Sequence, residues 1–343
     1  MAQLLYLLGS AAAIHVETVR VAVLKERSEQ CNRSMTISII IPCYNAADHI
    51  ERCLKSVFQQ VHRDLQIVAV DDGSTDGTVA RIRAMEVPSD LSFVLIEQAN
   101  SGAAQARNVG LQNAIGTYVQ FLDADDELFP EKLHGQALLV RENNEPDLVV
   151  ASYRIISPAG EFVRDEIQKD EKRDTWLDVM QHGLGITSAI LWKRSAVQDA
   201  GGWDASLGSS QEYDLLFRIL KNGATIVRDP LVNTLVHKRY DSISHTNLAR
   251  NWARFVELRG RMADHVRSLN DGRDLQPYWQ VIFDSIRILY AHDPKAALSY
   301  HKTLLPSDFR PTVSQTSGRS YIMLHRIFGF HGAQRIRALI TGS

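Results

Sequence analysis

The sequence predicts an α/β domain built on a mainly parallel sheet flanked by helices, followed by a helical appendage. Three observations carry that expectation. From Met35 to Leu122, short apolar runs alternate with amphipathic segments, as consecutive βαβ units require. The first of those runs, Ile37 to Ile41, is β-branched almost throughout, as in a strand covered on both faces. Beyond Asn247 the strand signal stops and helical periodicity takes over.

Met35 stands directly before the first strand, so residues 1–34 are set apart as an upstream extension or an alternative start. Their apolar stretch, Leu4 to Ile14, lacks the basic flank and the cleavage site of a secretory signal. Asp48 to Gln60 then spaces Ile50, Cys53, Leu54, Val57 and Phe58 along one helical face. Leu65 to Val70 is a second strand, ending in Asp71-Asp72-Gly73-Ser74-Thr75-Asp76-Gly77, residue types that make a turn and a helix start. Phe93 to Ile96 is a third strand, Ala103 to Ala114 a helix closed by Gly116, and Tyr118 to Leu122 a fourth strand. Asp147 to Ile155 and Ile186 to Trp192 read as further strands, with a hairpin turn at Ser157 to Glu161. Trp252 to Leu269 and Gln280 to Tyr290 read as helices. The expected organisation is 1–34 as extension, 35–130 and 131–246 as two halves of one domain, and 247–343 as appendage.

Composition removes several functional classes. In 343 residues, 38 Lys and Arg stand against 40 Asp and Glu, a formal charge of −2 that offers no general attraction to nucleic acid. Cys31, Cys43 and Cys53 make no closed disulfide framework and no zinc spacing, so they read as packed, reduced thiols. No apolar run reaches the roughly 20 residues of a membrane span, and a cytoplasmic chain is expected.

Ligands of parallel sheets sit beyond the carboxyl ends of the strands. Those ends carry Pro42-Cys43-Tyr44-Asn45, Asp71-Asp72 and Asp123-Ala124-Asp125-Asp126, so carboxylates and one aromatic ring gather at one mouth. Crowded carboxylates repel unless a cation sits among them, and oxygen ligands without His or Cys suit Mg²⁺ or Mn²⁺. Each motif alone also fits a plain turn, a helix cap or a packed tyrosine.

Taken together, Ser38-Ile39-Ile40-Ile41-Pro42-Cys43-Tyr44-Asn45, Val70-Asp71-Asp72-Gly73-Ser74-Thr75-Asp76, Ala106-Arg107-Asn108-Val109-Gly110 and Phe121-Leu122-Asp123-Ala124-Asp125-Asp126 resemble a family-2 glycosyltransferase of the Rossmann-like GT-A fold. The resemblance covers about residues 35–130 and continues more weakly to about 245. It implies inverting transfer of a sugar from a nucleotide-diphosphate donor to a saccharide or lipid-linked saccharide acceptor, as in polysaccharide or glycolipid synthesis. It makes 35–130 the nucleotide-sugar half and 131–246 the acceptor half. By the same likeness, Pro42 and Tyr44 line the nucleoside pocket, Asn45 fixes its loop, Asp72 binds the base with Asp71 assisting, and Arg107 pairs with diphosphate oxygens. Asp125 is the implied direct ligand of a divalent metal, Mn²⁺ or Mg²⁺, with Asp123 on the ribose or on the metal.

The second half offers Gly201-Gly202-Trp203-Asp204 and Ser210-Gln211-Glu212-Tyr213-Asp214-Leu215, similar to the family segments that precede and carry the catalytic base. Gln211 and Glu212 stand where Glu and Asp are usual, so Glu212 is the expected general base and Asp214 the fallback. The competing reading of Glu212 is a capping box, Ser209-x-x-Glu212. Trp192, Trp203 and Tyr213 either face a sugar ring or fill the core. His237 and His245 flank Tyr240, where relatives carry a His.

Other classes fit less well. A dinucleotide enzyme needs a Gly-x-Gly-x-x-Gly turn after the first strand, and an Asp-nucleophile phosphatase needs its Asp-x-Asp there. A sugar nucleotidylyltransferase, lacking its basic glycine-rich loop, and a catalytically silent sugar-nucleotide binder are the alternatives. Phe309 to Ser343 holds no Asp or Glu, while Arg310, Arg319, Arg326, Arg335 and Arg337 lie among apolar residues. Such a tail either rests on an anionic membrane surface as a peripheral contact or packs on the catalytic domain.

Overall fold

The computed structural model describes residues 35–169, 173–238 and 247–341; the 1–34 extension with Cys31, and Tyr240 and His245, lie outside the described residues. The strands are β1 (Ile37–Cys43), β2 (Leu65–Asp71), β3 (Ser92–Glu97), β4 (Tyr118–Phe121), β5 (Glu127–Leu128), β6 (Leu148–Ile156), β7 (Phe162–Glu166), β8 (Ile190–Lys193) and β9 (Ile226–His237). Between and after them run α1 (Ile50–Phe58), α2 (Thr78–Ala84), α3 (Ala103–Asn113), α4 (Lys132–Glu142), α5 (Thr175–Met180), α6 (Arg194–Asp199), α7 (Gln211–Lys221), α8 (Leu248–Ser268), α9 (Gln276–Tyr290), α10 (Pro294–Leu304) and α11 (Arg319–Thr341).

One sheet runs β3-β2-β1-β4-β8-β6-β9-β5, with β7 on the side of β6. Its first four strands are parallel, as β-branched strands joined by helical crossovers must be. The register sets Cys43 beside Asp71 and Ile40 beside Phe121, so the ends of β1, β2 and β4 share one edge. Chain order reverses across β1, and a crevice opens at that switch point. Helix α3 lies tight on β1: a Cβ built on Gly110 would fall 2.2 Å from Ile40 Cγ2.

Two departures from the sequence reading have clear causes. Ile186 to Trp192 is not one strand; a 3₁₀ turn at Thr187–Ala189 leads into β8. The twelve-residue β9 is hidden in sequence by Arg228-Asp229-Pro230. The register breaks there, and the buried Asp229 carboxylate accepts from Leu231 N at 3.0 Å and Asn233 Nδ2 at 2.6 Å.

The C-terminal helices are not a separate lobe. Residues of α8 to α11, among them Val256, Tyr278, Phe283 and Phe330, share one buried cluster with Phe121, Trp192 and Leu216 of the sheet domain. Arg259 of α8 fixes the junction from inside, donating to Met180 O at 2.8 Å and Ser285 Oγ at 2.8 Å.

Candidate active site

At the β1 end, Tyr44 is 52% exposed rather than packed, next to half-buried Pro42. Asn45 takes a left-handed φ of 47° and ties this loop to the next: its side chain accepts from Thr75 N at 2.9 Å, and its N–H donates to Ser74 Oγ at 2.9 Å. Ala46 N to Thr78 Oγ1 at 2.8 Å and Ala47 N to Asp76 Oδ2 at 3.0 Å complete the join. The Asp-Gly-Ser-Thr-Asp run is therefore the partner of the β1 loop, beyond being a turn.

The two carboxylates at the end of β2 sit in different hydrogen-bond surroundings. Asp72 is buried and saturated, accepting from Gln98 Nε2 at 2.7 Å, Ser101 N at 2.8 Å and Gly102 N at 2.7 Å. It holds the start of α3, where a helix end favours a negative charge. Asp71 is also buried and accepts from Ser74 N at 3.0 Å, but its Oδ1 has no hydrogen-bond partner. An orphaned buried acceptor is costly until a donor meets it.

Arg107 is buried on α3, not a surface ion pair. Its Nη2 donates to Asp123 Oδ1 at 2.6 Å, and its guanidinium lies 4.6 Å over the Trp203 ring. The same group reaches Gln211 Oε1 at 3.4 Å, which joins the β4 end to α7. Asn108 clamps the Gly201–Trp203 segment from both sides, accepting from Trp203 N at 2.8 Å and donating to Trp203 O at 2.7 Å. Trp203 thus supports Arg107 at the cleft, whereas Trp192 lies wholly in the core against Phe121.

Glu212 lines the cleft beside Arg107 and Thr187. The capping-box reading fails: the cap of α7 is Ser210 in a left-handed conformation, with no side-chain cap bond. Instead Glu212 Oε2 accepts from Thr187 Oγ1 at 2.7 Å. Burial raises its pKa above the ordinary 4.5, and the Thr187 hydroxyl opposes that rise. Asp214, the fallback base, points elsewhere. Its two oxygens pair with Arg218 Nε at 2.8 Å and Arg261 Nη2 at 2.9 Å, joining α7 to α8.

Asp125 is half-buried after β4, where Asp126 is buried with its carboxyl pushed well up, first by burial and then by the charges of Asp123 and Asp125. Among the described residues no three His, Cys, Asp or Glu side chains gather as a metal cage. Two carboxylates that leave the remaining positions to phosphate and water are nevertheless the donor set of Mg²⁺ or Mn²⁺ bound with a nucleotide. His237 does not face them; its Nε2 lies 2.8 Å from Glu127 Oε1. Cys43 and Cys53 are buried free thiols raised by burial, packed as expected.

Sequence reasoning missed Thr187 and left Asn108 without a role. Asn108 stood inside a motif already singled out; Thr187 gave no signal, because only folding brings it to Glu212.

The fold is of the GT-A type. Residues 38–198 match the family model described as "Glycosyl transferase family 2", and that stretch of the chain belongs to the family. Among relatives, the putative teichuronic acid biosynthesis glycosyltransferase TuaG of Bacillus subtilis is 42% identical over 108 residues, 32% of this chain and 43% of TuaG. Uncharacterised glycosyltransferases of Rickettsia bellii, Rickettsia conorii and Rickettsia felis match at 27% to 28% identity, and the chain spans only 30% to 31% of the length of these three. In fold, Staphylococcus aureus TarS 1-349 in complex with UDP-GlcNAc is similar, with a TM-score of 0.65 at 18% identity over 90% of this chain and 93% of that one. The mannosyltransferase PcManGT of Pyrobaculum calidifontis, in complex with GDP-Man and Mn²⁺, gives a TM-score of 0.52 at 19% identity over 91% and 81%.

Proposed function

We propose that the chain transfers a sugar from a nucleotide-diphosphate donor to an acceptor hydroxyl, inverting the anomeric carbon. One observation carries this reading: Arg107, paired with Asp123, lines one cleft together with Gln211, which it reaches, and a buried, hydrogen-bonded Glu212. Tyr44 and Pro42 form the wall of the nucleoside pocket, which Asn45 holds open. The unsatisfied Asp71 Oδ1 takes the N–H of the base, while Asp72 shapes the Ser101–Gly102 turn below it. This exchanges the roles expected of the two residues. Arg107 pairs with the diphosphate.

Asp125, with Asp123, would hold Mn²⁺ or Mg²⁺. Held there, it would supply neutralisation of the charge growing on the departing diphosphate. In the displacement, Glu212 takes the proton of the acceptor hydroxyl as that oxygen bonds to the anomeric carbon. The bond from that carbon to the phosphate oxygen breaks, and the nucleoside diphosphate leaves with the electron pair. The acceptor is a saccharide or lipid-linked saccharide in polysaccharide or glycolipid assembly, a reading the TuaG likeness supports.

Contact with the inner membrane surface is part of this reading, through α11. That helix buries Tyr321, Ile322 and Phe330 but exposes Met323, Ile327 and Phe328 beside Arg319 and Arg326. Among the described residues no helix is long and apolar enough to cross a membrane.

The test is product release from a panel of nucleotide sugars with Mn²⁺. Nucleoside diphosphate without pyrophosphate is expected, since pyrophosphate is the mark of a nucleotidylyltransferase. Glu212→Gln should keep the fold and lose roughly 10²- to 10⁴-fold in rate. Near-normal turnover in that variant would remove Glu212 from the chemistry.

A further inference from the structure

The cleft has a volume of about 620 Å³ and a second charged wall that the proposed chemistry leaves unused. Besides Ser101, Gly102 and Arg107, it is lined by Arg250 and Arg254 of α8 and by the Ser206–Ser210 turn that leads into α7. Arg250 and Arg254 stand one helical turn apart on the same face. Among the described residues neither has a carboxylate in ion-pair reach. Like charges at that spacing repel unless an anion sits between them. Glu257, one turn further, is held by the Tyr300 hydroxyl.

The facing turn is built in a matching way. A Cβ on Gly208 would fall 2.5 Å from Arg254 Nη1, so the guanidinium lies directly against this backbone. The Oγ atoms of Ser209 and Ser210 are buried with no hydrogen-bond partner. Ser210 adopts a φ of 62°, and α7 starts there without a side-chain cap. Two hydroxyl donors, two guanidinium groups and an uncapped helix start therefore converge from two different elements. All of them favour negative oxygen atoms.

We propose that this α8 side of the cleft is an anion subsite, in which Arg250, Arg254 and the hydroxyls of Ser209 and Ser210 hold a phosphate or carboxylate carried by the acceptor. The proposed donor diphosphate has its own basic group, Arg107, on a different helix, α3. Past Arg254 the cleft continues into a hollow of about 510 Å³ whose lining includes Asp204, Asp214, Glu257 and Asp264, so the anionic group is held at Arg250 and Arg254 and not deeper. The subsite deepens the glycosyl-transfer reading and depends on it for the identity of its occupant.

The full chain is titrated at low salt with glycerol 1-phosphate and glucuronate, and with glycerol and glucose as neutral counterparts. Wild type should bind at least one anion ten times more tightly than its neutral partner. Arg250→Gln/Arg254→Gln should lose that preference, and Arg254→Lys should keep part of it. UDP and GDP are titrated in parallel. Equal binding of anions and neutral compounds, or an unchanged anion affinity in the double variant, overturns the subsite. A tenfold loss of nucleoside diphosphate binding in the double variant would assign the arginines to the donor and overturn it too. If wild type binds an anion but neither UDP nor GDP, the glycosyl-transfer reading fails separately.

Discussion

Glu212 owes its proposed role to two effects that act in opposite directions. Burial lifts its carboxyl above the ordinary 4.5, while the Thr187 hydroxyl, donating at 2.7 Å, stabilises the ionised form. A general base works only when ionised, so turnover falls on the acid side as pH drops through the raised value. Thr187→Val removes the donor and lifts the carboxyl further. The acid limb of kcat/KM should then move to higher pH while the fold persists. A limb that stays in place contradicts Glu212 as the group being titrated. The same scale explains why Asp71 and Asp72 could not be told apart in sequence. They are adjacent and chemically identical, and only the course of the chain after β3 decides that Asp72 meets Gln98, Ser101 and Gly102.

Helix α3 is the element on which the site turns. Its start is held by Asp72, its middle carries Arg107 and Asn108, and Gly110 brings it against β1. Gly110→Ala would drive a methyl into Ile40, and a misfit of that kind costs about 1 to 3 kcal/mol. Urea unfolding should show a lower midpoint for this variant; an unchanged midpoint contradicts the close approach. Much of this architecture was legible beforehand, since β1, β2 and β4 are apolar runs ending in distinctive polar clusters. What escaped was set by contacts distant in sequence. Thr187 meets Glu212 across 25 residues, and β9 tolerates Asp229 and Pro230 because of a bulge and a buried hydrogen-bond pair. The capping-box pattern at Ser209 misled because α7 starts one residue later, from a left-handed Ser210.

At the scale of the whole molecule, the C-terminal helices close the cleft as well as completing the core. Arg259 anchors α8 to the sheet domain, and the same helix presents Arg250 and Arg254 to the cleft. Outermost, α11 bends at Gly329, with one side in the core and Ile327 60% exposed on the other. Flotation with phosphatidylglycerol vesicles at low salt should carry the protein. Ile327→Asp should reduce that recovery about tenfold, as expected when a desolvated side chain contributes ~1.5 kcal/mol or more. Absence of wild-type binding contradicts the membrane contact and leaves the active site untouched. The proposed site depends on carboxylates from separate strand ends serving one nucleotide, and calorimetry tests this most directly. UDP or GDP is titrated with and without Mn²⁺ into wild type and Asp125→Ala. Manganese should tighten binding at least tenfold in wild type and leave Asp125→Ala unaffected; equal affinity with and without the metal in wild type would contradict the account.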